Sequence, residues 1–291
     1  MEDASLTWLA KPVLNKPLMI MAFSGWANAG EVPSSSLWYI LSRLDATLCA
    51  ELQSDDFYVY LNTGSENKRP MVNIKDGMIQ SYSPVTLNFW SYKAPPGGRD
   101  LMLVSGPEPE QRWNRLTDLI LNLAKEFEVE KIVVLGGSFD AIPHTAPTRV
   151  TGVANFLSEK EELKEHNIEM VNYQGPSSIH TLLMVNAARR NIPMVSLWAH
   201  TPHYIQVTNF IGCYNLMLKL NELLKINIDL DVAQKDSEHL YKQIDQAIEK
   251  KPELRDYLKI LGAEFRKGRK STGEPINQNI IKEIEDLFKE S

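Results

Sequence analysis

The stretch KIVVLGGSFDAIPHT, Lys131–Thr145, decides the predicted fold of this chain. It opens with an apolar, β-branched run that is typical of a buried strand, and we predict that strand over Ile132–Leu135. The run meets Gly136-Gly137, and a serine, an acid and a histidine follow within eight residues. Three interpretations are open at this point: a catalytic turn, a turn that cradles a ligand, or a rigid corner with a purely structural role.

The segments on both sides of this stretch alternate between strand and helix patterns. Short apolar runs predict strands, and apolar residues at helical spacing predict helices. The predicted strands are residues 16–25, 85–93, 100–106, 148–156 and 192–200, and the predicted helices are residues 31–46, about 109–128, 176–191 and 209–226. This alternation predicts an α/β fold, a three-layer α/β/α sandwich built around a mostly parallel sheet.

A hairpin is predicted as an antiparallel insertion into this fold. In MVNIKDGMIQSY, residues 71–82, the pair Asp76-Gly77 stands between two strand-like segments. This pair favours a two-residue turn with positive φ angles, so it joins the two segments as adjacent strands.

The composition changes after Asn227, where the chain becomes charged and helically periodic. Helical patterns cover residues 238–250, 253–268 and 277–290, and Pro252 and the segment STGEP separate them. We therefore predict an α/β domain of residues 1–227 and a helical C-terminal extension of residues 228–291, with the charged runs as solvated helix faces.

Composition and charge disfavour several classes of protein. Hydrophobic residues make up 43% and charged residues 23% of the chain, as in ordinary globular proteins. The net charge is −6, and basic residues are interspersed with acids, so we expect no nucleic-acid partner. Cys49 and Cys213 lie far apart and outside any C-x-x-C spacing, which predicts buried free thiols. No apolar run of about 18 residues occurs and the first residues are acidic, so we expect no membrane segment and a cytoplasmic location.

Polar and aromatic residues collect at four segments that we place near the ends of predicted strands. The carboxyl ends of parallel strands share one edge of a sheet, and ligands bind there. We call this edge the rim. Its candidate pocket or family-motif residues are Gly25, Trp26, Gly136, Gly137, Asp140, Pro143, His144, Thr145, Tyr173, Gly175, Pro176, His200, His203 and Tyr204.

A catalytic turn of the hydrolase type is disfavoured at the rim. The hydrolase signature Gly-x-Ser-x-Gly needs a helix directly after the serine. Here Asp140 replaces the second glycine, and Pro143 stands where the helix interior would lie. A Ser-His-Asp set of Ser138, His144 and Asp140 stays open, although adjacency in sequence does not establish its geometry.

Metal and nucleotide sites are also disfavoured. His200 and His203 are three residues apart, and Asp140 or His144 could complete a ligand set, but Pro202 places the pair in a loop, where the spacing carries little information. Neither glycine-rich nucleotide motif is present, so we expect no metal and no cofactor. The helix start at residues 175–178 either binds an anion through its free N–H groups or is a plain helix cap.

Three segments resemble the proteasome assembly chaperone two family in its bacterial and archaeal branch. They read GWANAG, GGSFDAIPHTAPTRVTGVAN and YQGPSSIHTLLMVNAARRNIPMVSLWAHTPHYIQ, and they include an Asp-x-x-Pro-His-Thr and a Tyr-x-Gly-Pro element. The resemblance spans about Leu18 to Leu224. It implies a phosphorylase/hydrolase-like α/β/α fold, homo-oligomeric assembly and a helical C-terminal extension.

Two functions are compatible with these observations. The first is a non-catalytic, assembly-chaperone-like or scaffold protein that acts through protein–protein contacts, in which Gly136-Gly137 permits close packing of strand against loop and Asp140 and His144 fix the loop that carries Pro143. The alternative is a small-molecule-binding protein or a hydrolase/phosphorylase-like enzyme with a pocket at the rim. The sequence does not decide whether the chain is an enzyme, but the absence of a complete catalytic motif favours the first function and the rigid corner.

Overall fold

The structure, a computed structural model, describes residues 6–53, 56–60, 69–250 and 252–266. These residues form eleven strands and seven α-helices. In chain order they are β1 (Leu6–Trp8), β2 (Leu18–Ser24), α1 (Val32–Arg43), β3 (Thr47–Gln53), β4 (Met71–Lys75), β5 (Met78–Ser83), β6 (Thr86–Tyr92), β7 (Leu101–Pro107), α2 (Trp113–Glu126), β8 (Lys131–Asp140), β9 (Val150–Ala154), α3 (Leu157–Glu165), β10 (Glu169–Met170), α4 (Ile179–Arg189), β11 (Met194–Pro202), α5 (Phe210–Leu224), α6 (Asp231–Lys250) and α7 (Pro252–Arg266). No helix within these ranges is both long and apolar enough to cross a membrane.

Nine strands form one sheet in the order β1-β3-β6-β7-β2-β8-β11-β9-β10. The central strands β7, β2, β8 and β11 are parallel. The strands β1, β3 and β6 pair in antiparallel fashion on one side, and β9 runs antiparallel to β11 on the other. The prediction of a mostly parallel sheet is therefore wrong, and the sheet is mixed. Part of the reason is the hairpin between β3 and β6, after which the chain returns beside β3 in the opposite direction.

Three layers are present, as predicted. Strand β2 shows why, since its side chains alternate between the two faces of the sheet. Met19, Met21 and Phe23 join the core under α2 and α4, whereas Leu18 and Ile20 join the core under α1 and α5. A strand buried on both faces reads as a continuous apolar run, and this is the pattern that identified it in the sequence.

The Gly-Gly pair does not end a strand. Strand β8 continues to Asp140, and its Gly136 and Gly137 stay in register with Trp198 and Ala199 of β11. The predicted strand end at Leu135 is therefore wrong. The predicted close packing of strand against loop is present at Gly137, where a Cβ atom would lie 2.8 Å from the carbonyl oxygen of Ala29. The strand continues because its pairing with β11 is unbroken as far as Asp140 and Pro202. The Trp198 ring lies over Gly136, where a Cβ atom would come within 2.7 Å of it, so this strand position needs a glycine.

Other element boundaries differ from the sequence predictions for local reasons. Helix α2 begins at Trp113 rather than near residue 109, because Arg112 has a left-handed backbone with φ of 55°. The elements β1, β3, α3 and β10 were not predicted. Two of them have only two or three residues, and α3 is so charged that Leu163 is its one buried apolar residue.

The predicted hairpin is confirmed. Strands β4 and β5 form a separate two-stranded antiparallel sheet. Asp76 and Gly77 at its turn have φ angles of 50° and 75°, as a primed two-residue turn requires. The predicted state of the thiols is confirmed as well, since Cys49 and Cys213 are buried and unpaired with each other.

The first two helices of the predicted extension are α6 and α7, and the third segment, residues 277–290, lies outside the described residues. Helix α6 packs against α5, and α7 packs against α6. The two helices pack against Tyr204 and Ile205, which follow β11, through the buried side chains of Leu240, Ile244 and Leu261. The extension thus lies over one part of the rim, while the domain division between residues 227 and 228 stays a prediction.

Candidate functional site

Five of the predicted rim residues form two adjoining hydrogen-bonded groups. Asp140 bonds His200 and His203, and His144 bonds Tyr204. The rings of His203 and Tyr204 join the two groups through an edge-to-face contact at 5.6 Å. We call Asp140, His144, His200, His203 and Tyr204 the histidine network. Its members lie at the carboxyl ends of β8 and β11 and in the loops that follow them. The parallel pairing of β8 with β11 brings the two ends together, since Asp140 is in register with Pro202.

The carboxylate of Asp140 holds the imidazole of His200. The Oδ2 atom of Asp140 lies 2.9 Å from Nδ1 of His200, and Nε2 of the same ring lies 3.0 Å from Oγ1 of Thr151 on β9. The backbone N–H of Ala141 donates to the other Asp140 oxygen at 2.8 Å. The hydrogen bond with His200 holds the pKa of Asp140 below its usual value despite partial burial. The pair links the first turn after β8 to two neighbouring strands.

His144 connects the loop after β8 to the C-terminal extension. Its backbone N–H donates to the Tyr204 hydroxyl oxygen, and the same hydroxyl lies 2.7 Å from its Nδ1. Because the Tyr204 oxygen accepts from the backbone, its own O–H donates to Nδ1. The Nε2–H therefore donates to Asp245 of α6, whose Oδ1 lies 3.2 Å away. Burial lowers the pKa of His144, and Asp245 offsets part of that effect.

His203 makes an equivalent link to the second helix of the extension. Its Nδ1 lies 3.1 Å from the carbonyl oxygen of Asp140 and donates to it. Its Nε2 lies 2.7 Å from the hydroxyl of Tyr257 on α7, which donates to the ring. Burial lowers the pKa of His203 as well. Both ring nitrogens of His144, His200 and His203 are thus engaged within the chain.

The histidine network leaves space for about one water molecule. A cavity of about 10 Å³ lies beside His144 and His200, with Pro143 and Asn209 in its wall. One water needs about that volume, whereas sites for small molecules have volumes of roughly 300 Å³ or more. Ser138 makes no hydrogen bond with Asp140 or His144, all three being described residues, so the Ser-His-Asp set is not assembled. The described ranges also contain no group of three or more His, Cys, Asp or Glu residues placed to hold a metal.

A buried carboxyl group that the sequence analysis missed organises another part of the rim. Glu108 follows β7 and is almost fully buried. One of its oxygens accepts from the backbone N–H of Ile179 at 3.0 Å, and the other accepts from the N–H of Trp26 at 3.3 Å. Gly25 has a φ of 124°, and a Cβ atom there would lie 3.1 Å from the Cβ of Glu108. The segment Pro107-Glu108-Pro109, an acid between two prolines at a strand end, is a signal that could have identified it.

The start of α4 is consequently a capped helix end. The backbone N–H of Ile179 already bonds the carboxyl group of Glu108, so an anion would meet that group rather than a free N–H. Of the two interpretations left open for residues 175–178, the geometry favours the plain cap.

The remaining predicted residues lie outside the histidine network. The Tyr173 hydroxyl donates to the carbonyl of Pro176 at 2.8 Å and lies against Gly175, where a Cβ would come within 2.6 Å of it. Thr145 is exposed in the loop that carries Pro143. Trp26 is 60% exposed, and its ring meets that of Trp198 edge to face at 6.5 Å.

A further histidine, which the sequence analysis did not select, is buried next to the rim. His180 is 2% exposed and lies between the rings of Trp198 and Phe23. Its Nδ1 lies 3.3 Å from the Ser196 hydroxyl, and its Nε2 has no hydrogen-bond partner within the described ranges. Burial lowers its pKa to about 3. The folded chain therefore holds a neutral imidazole at pH values where the unfolded chain binds a proton.

We expect the free energy of unfolding to fall as the pH is lowered from about 6.5 to about 4.5. His180, with a folded pKa below the unfolded one, stabilises the fold fully above the unfolded pKa of about 6.5, and that stability is lost as the pH falls toward the folded pKa. A wholly neutral folded-state histidine contributes about 1.4 kcal/mol per pH unit in this window. Urea unfolding at several pH values measures how steeply the free energy of unfolding changes with pH. His180→Gln should make this dependence less steep.

His239→Gln is the matched control for this prediction. His239 is exposed on α6, so the same substitution there should leave the slope unchanged. Equal slopes for the wild type and for His180→Gln would show that His180 is not the group that titrates.

Comparison with known proteins agrees with the fold and with the resemblance noted in the sequence. No curated protein matches the chain by sequence. Among solved structures, a PAC2 family protein from Streptomyces avermitilis superimposes with a TM-score of 0.73 and 29% identity, covering 83% of this chain and 99% of that chain. A proteasome-assembly chaperone homologue from Mycobacterium tuberculosis has a TM-score of 0.74 and 24% identity, with coverages of 83% and 99%. An archaeal proteasome activator from Pyrococcus furiosus has a TM-score of 0.66 and 16% identity, with coverages of 84% and 99%.

The sequence profile of the PAC2 family matches residues 22–248. The matched range contains every predicted rim residue, and it also includes Asp245 of α6, the partner of His144. Since the match covers well over half of the 291 residues, this chain belongs to the PAC2 family.

Proposed function

We propose that this chain is a non-catalytic, assembly-chaperone-like protein that acts through protein–protein contacts in the cytoplasm and forms a homo-oligomer. The observation that carries the proposal is the closed histidine network. Each ring nitrogen of His144, His200 and His203 already has a partner within the chain. A general base or a ligand-binding imidazole needs a ring nitrogen that can reach a substrate.

The comparisons support the same function. Solved structures with this fold include a protein described as a proteasome-assembly chaperone homologue and one described as a proteasome activator. Both descriptions name the proteasome, an assembly of protein subunits. The shared fold and the closed histidine network of this chain support a role in assembly rather than in catalysis.

The exposed part of the rim is the proposed contact surface. Trp26, Phe139 and Tyr173 are among the large hydrophobic side chains that the described residues leave exposed. Trp26 follows β2, Phe139 lies near the carboxyl end of β8, and Tyr173 lies in the segment between β10 and α4. Aromatic residues of this kind are enriched at the centres of protein–protein interfaces. Glu108 and Gly25 hold the backbone of Trp26 in place, so its ring is presented on a fixed turn.

Trp26→Ser is expected to abolish recovery of partner proteins without unfolding the chain. The test is affinity capture of the tagged chain from its host, followed by identification of the recovered proteins. The wild type should recover a reproducible set of subunits of one larger assembly, and Trp26→Ser should lose that set because truncation of an interface aromatic costs about 2 kcal/mol or more in binding.

Trp38→Ser provides a matched control. Trp38 is 52% exposed on α1, and its ring meets Trp90 edge to face at 6.1 Å, so it has nearly the exposure and packing of Trp26 but lies away from the rim. This variant should recover the same proteins as the wild type. Recovery of the chain alone by the wild type, in repeated captures, would overturn the proposed function.

A further inference from the structure

The hairpin of β4 and β5 has one apolar face. Val72 and Ile74 of β4 are two residues apart and point to the same side. Tyr82 is in register with Val72, and Ile79 is in register with Ile74, so their side chains share that side. We call Val72, Ile74, Ile79 and Tyr82 the apolar face of the hairpin. The opposite side carries Met71 and Met78 at its ends, with Asn73, Ser81, Ser83 and Lys75 as its polar residues.

A shift in register creates this arrangement. Ile79 and Tyr82 are three residues apart, and in a regular strand they would point to opposite sides. Between Asn73 and Ile74 the pairing skips Gln80, which is the mark of a β-bulge. The bulge turns Ile79 to the same side as Tyr82. The hairpin therefore has a one-sided apolar surface that the spacing along β5 alone does not provide.

This face is uncovered within the described part of the chain. Val72, Ile74, Ile79 and Tyr82 are 49%, 59%, 70% and 63% exposed, and every residue of both strands is exposed. The hairpin pairs with no strand of the nine-stranded sheet. A two-stranded hairpin is only marginally stable by itself in water, and such a face gains stability when it packs against another surface.

We propose that the apolar face of the hairpin is a self-association surface, which packs against the same face of a second copy of this chain. The proposal deepens the proposed function, and rests on it only for the expectation that the chain forms a homo-oligomer. The face carries no charged side chain, so two copies related by a two-fold axis meet with apolar groups on both sides. The charged residues of the turn, Lys75 and Asp76, lie outside it.

The area of the face limits the size of this contact. At the exposures given above, the four side chains present roughly 450 Å² per copy, so two copies bury roughly 900 Å² between them. Specific interfaces begin at about 1,000 Å², and stable ones bury about 1,200–2,000 Å². The contact is thus smaller than a stable interface, and we expect a weak, reversible dimer. The apolar face offers no charged group that could select one particular different protein as its partner.

Sedimentation of the purified full-length chain between about 1 and 100 µM tests the proposal. The wild-type mass should rise with concentration from 33.1 kDa toward twice that value. Ile74→Lys combined with Ile79→Glu places an opposite-charge pair at the centre of the apolar face and leaves the net charge unchanged, and this variant should stay at 33.1 kDa. All substituted side chains are exposed, so the fold of a single chain should survive.

The matched control places the same pair on the other side of the hairpin. Asn73 and Ser81 are in register, so Asn73→Lys combined with Ser81→Glu should associate like the wild type. A wild-type mass of 33.1 kDa at every concentration would overturn the proposal and leave a segment outside the described residues, or a different protein, to cover the face. Association that persists in Ile74→Lys/Ile79→Glu would overturn it equally.

Crosslinking locates the contact on one face. The two native thiols are buried, so a cysteine introduced on the hairpin is the reactive one. With a short bismaleimide, Val72→Cys should give a crosslinked dimer, and Met71→Cys, on the opposite side, should give far less. Equal yields would overturn the face-to-face arrangement. Because these measurements need no other protein, failure of self-association is distinguishable from failure to recover partners from the host.

Discussion

Replacement of Gly137 by alanine is expected to lower the free energy of unfolding by about 2–3 kcal/mol. A Cβ atom at this position would lie 2.8 Å from the carbonyl oxygen of Ala29, 3.1 Å from its nitrogen and 3.1 Å from Cδ of Pro33. Two of these atoms belong to the backbone and cannot rotate away. The N–H of Gly137 also donates to the carbonyl of Ala27 at 2.7 Å, which draws the loop after β2 onto β8. The methyl group would force this loop off the strand.

Urea unfolding of the purified variant measures this effect. Gly262→Ala in α7 is the matched control, because the nearest atom to a Cβ there lies 3.6 Å away, an ordinary contact. Alanine in a helix interior is favoured over glycine by about 1 kcal/mol, so this variant should be slightly more stable than the wild type. An unchanged unfolding midpoint for Gly137→Ala would show that the loop can move away from β8 at no cost.

The second large effect is expected for His144→Ala, which should destabilise the chain by about 2–4 kcal/mol. The substitution removes a buried ring and leaves the Tyr204 hydroxyl without the acceptor for its proton. It also removes the bond to Asp245, so α6 loses a polar contact with the loop after β8. We therefore expect faster hydrogen exchange in α6 and α7 as well as a lower unfolding midpoint.

Asp245→Asn separates the structural contributions of the two partners. Asp245 has a half-exposed side chain, and an asparagine keeps an oxygen that accepts from Nε2–H of His144. This variant should stay within about 0.5 kcal/mol of the wild type. If His144→Ala left both the stability and the exchange of α6 and α7 unchanged, the proposed structural role of this histidine would be wrong.

Features that depend on neighbouring residues in sequence were predictable. The Asp76-Gly77 turn needs positive φ angles at two adjacent residues, and the pair itself indicates them. The strand of Leu18–Ser24 is buried on both faces, so its apolar run is visible without any knowledge of its partners. The position of the rim was predictable from these strands, because it depends only on their order and direction along the chain.

Features that depend on distant residues were not predictable. Gly136 lies in the interior of β8, where the ring of Trp198 leaves no room for a Cβ atom, and nothing near Gly136 in sequence indicates that contact. The partners of His144 and His203 are Asp245 and Tyr257, which are 101 and 54 residues away. A histidine near a strand end has the same sequence pattern whether it faces a ligand or a helix of its own chain. Only the tertiary structure distinguishes a histidine that faces a ligand from one that faces a helix of its own chain.

The contact between His144 and Asp245, 101 residues apart, also bears on how the chain is made. A ribosome synthesises β8 and β11 well before α6 and α7, so the nascent chain has the loops of the rim before it has the residues that complete their hydrogen bonds. His144 and His203 gain their last partners only when translation has passed Asp245 and Tyr257. A chain whose synthesis stops earlier leaves both imidazoles uncovered, and it thereby differs at its surface from a finished copy.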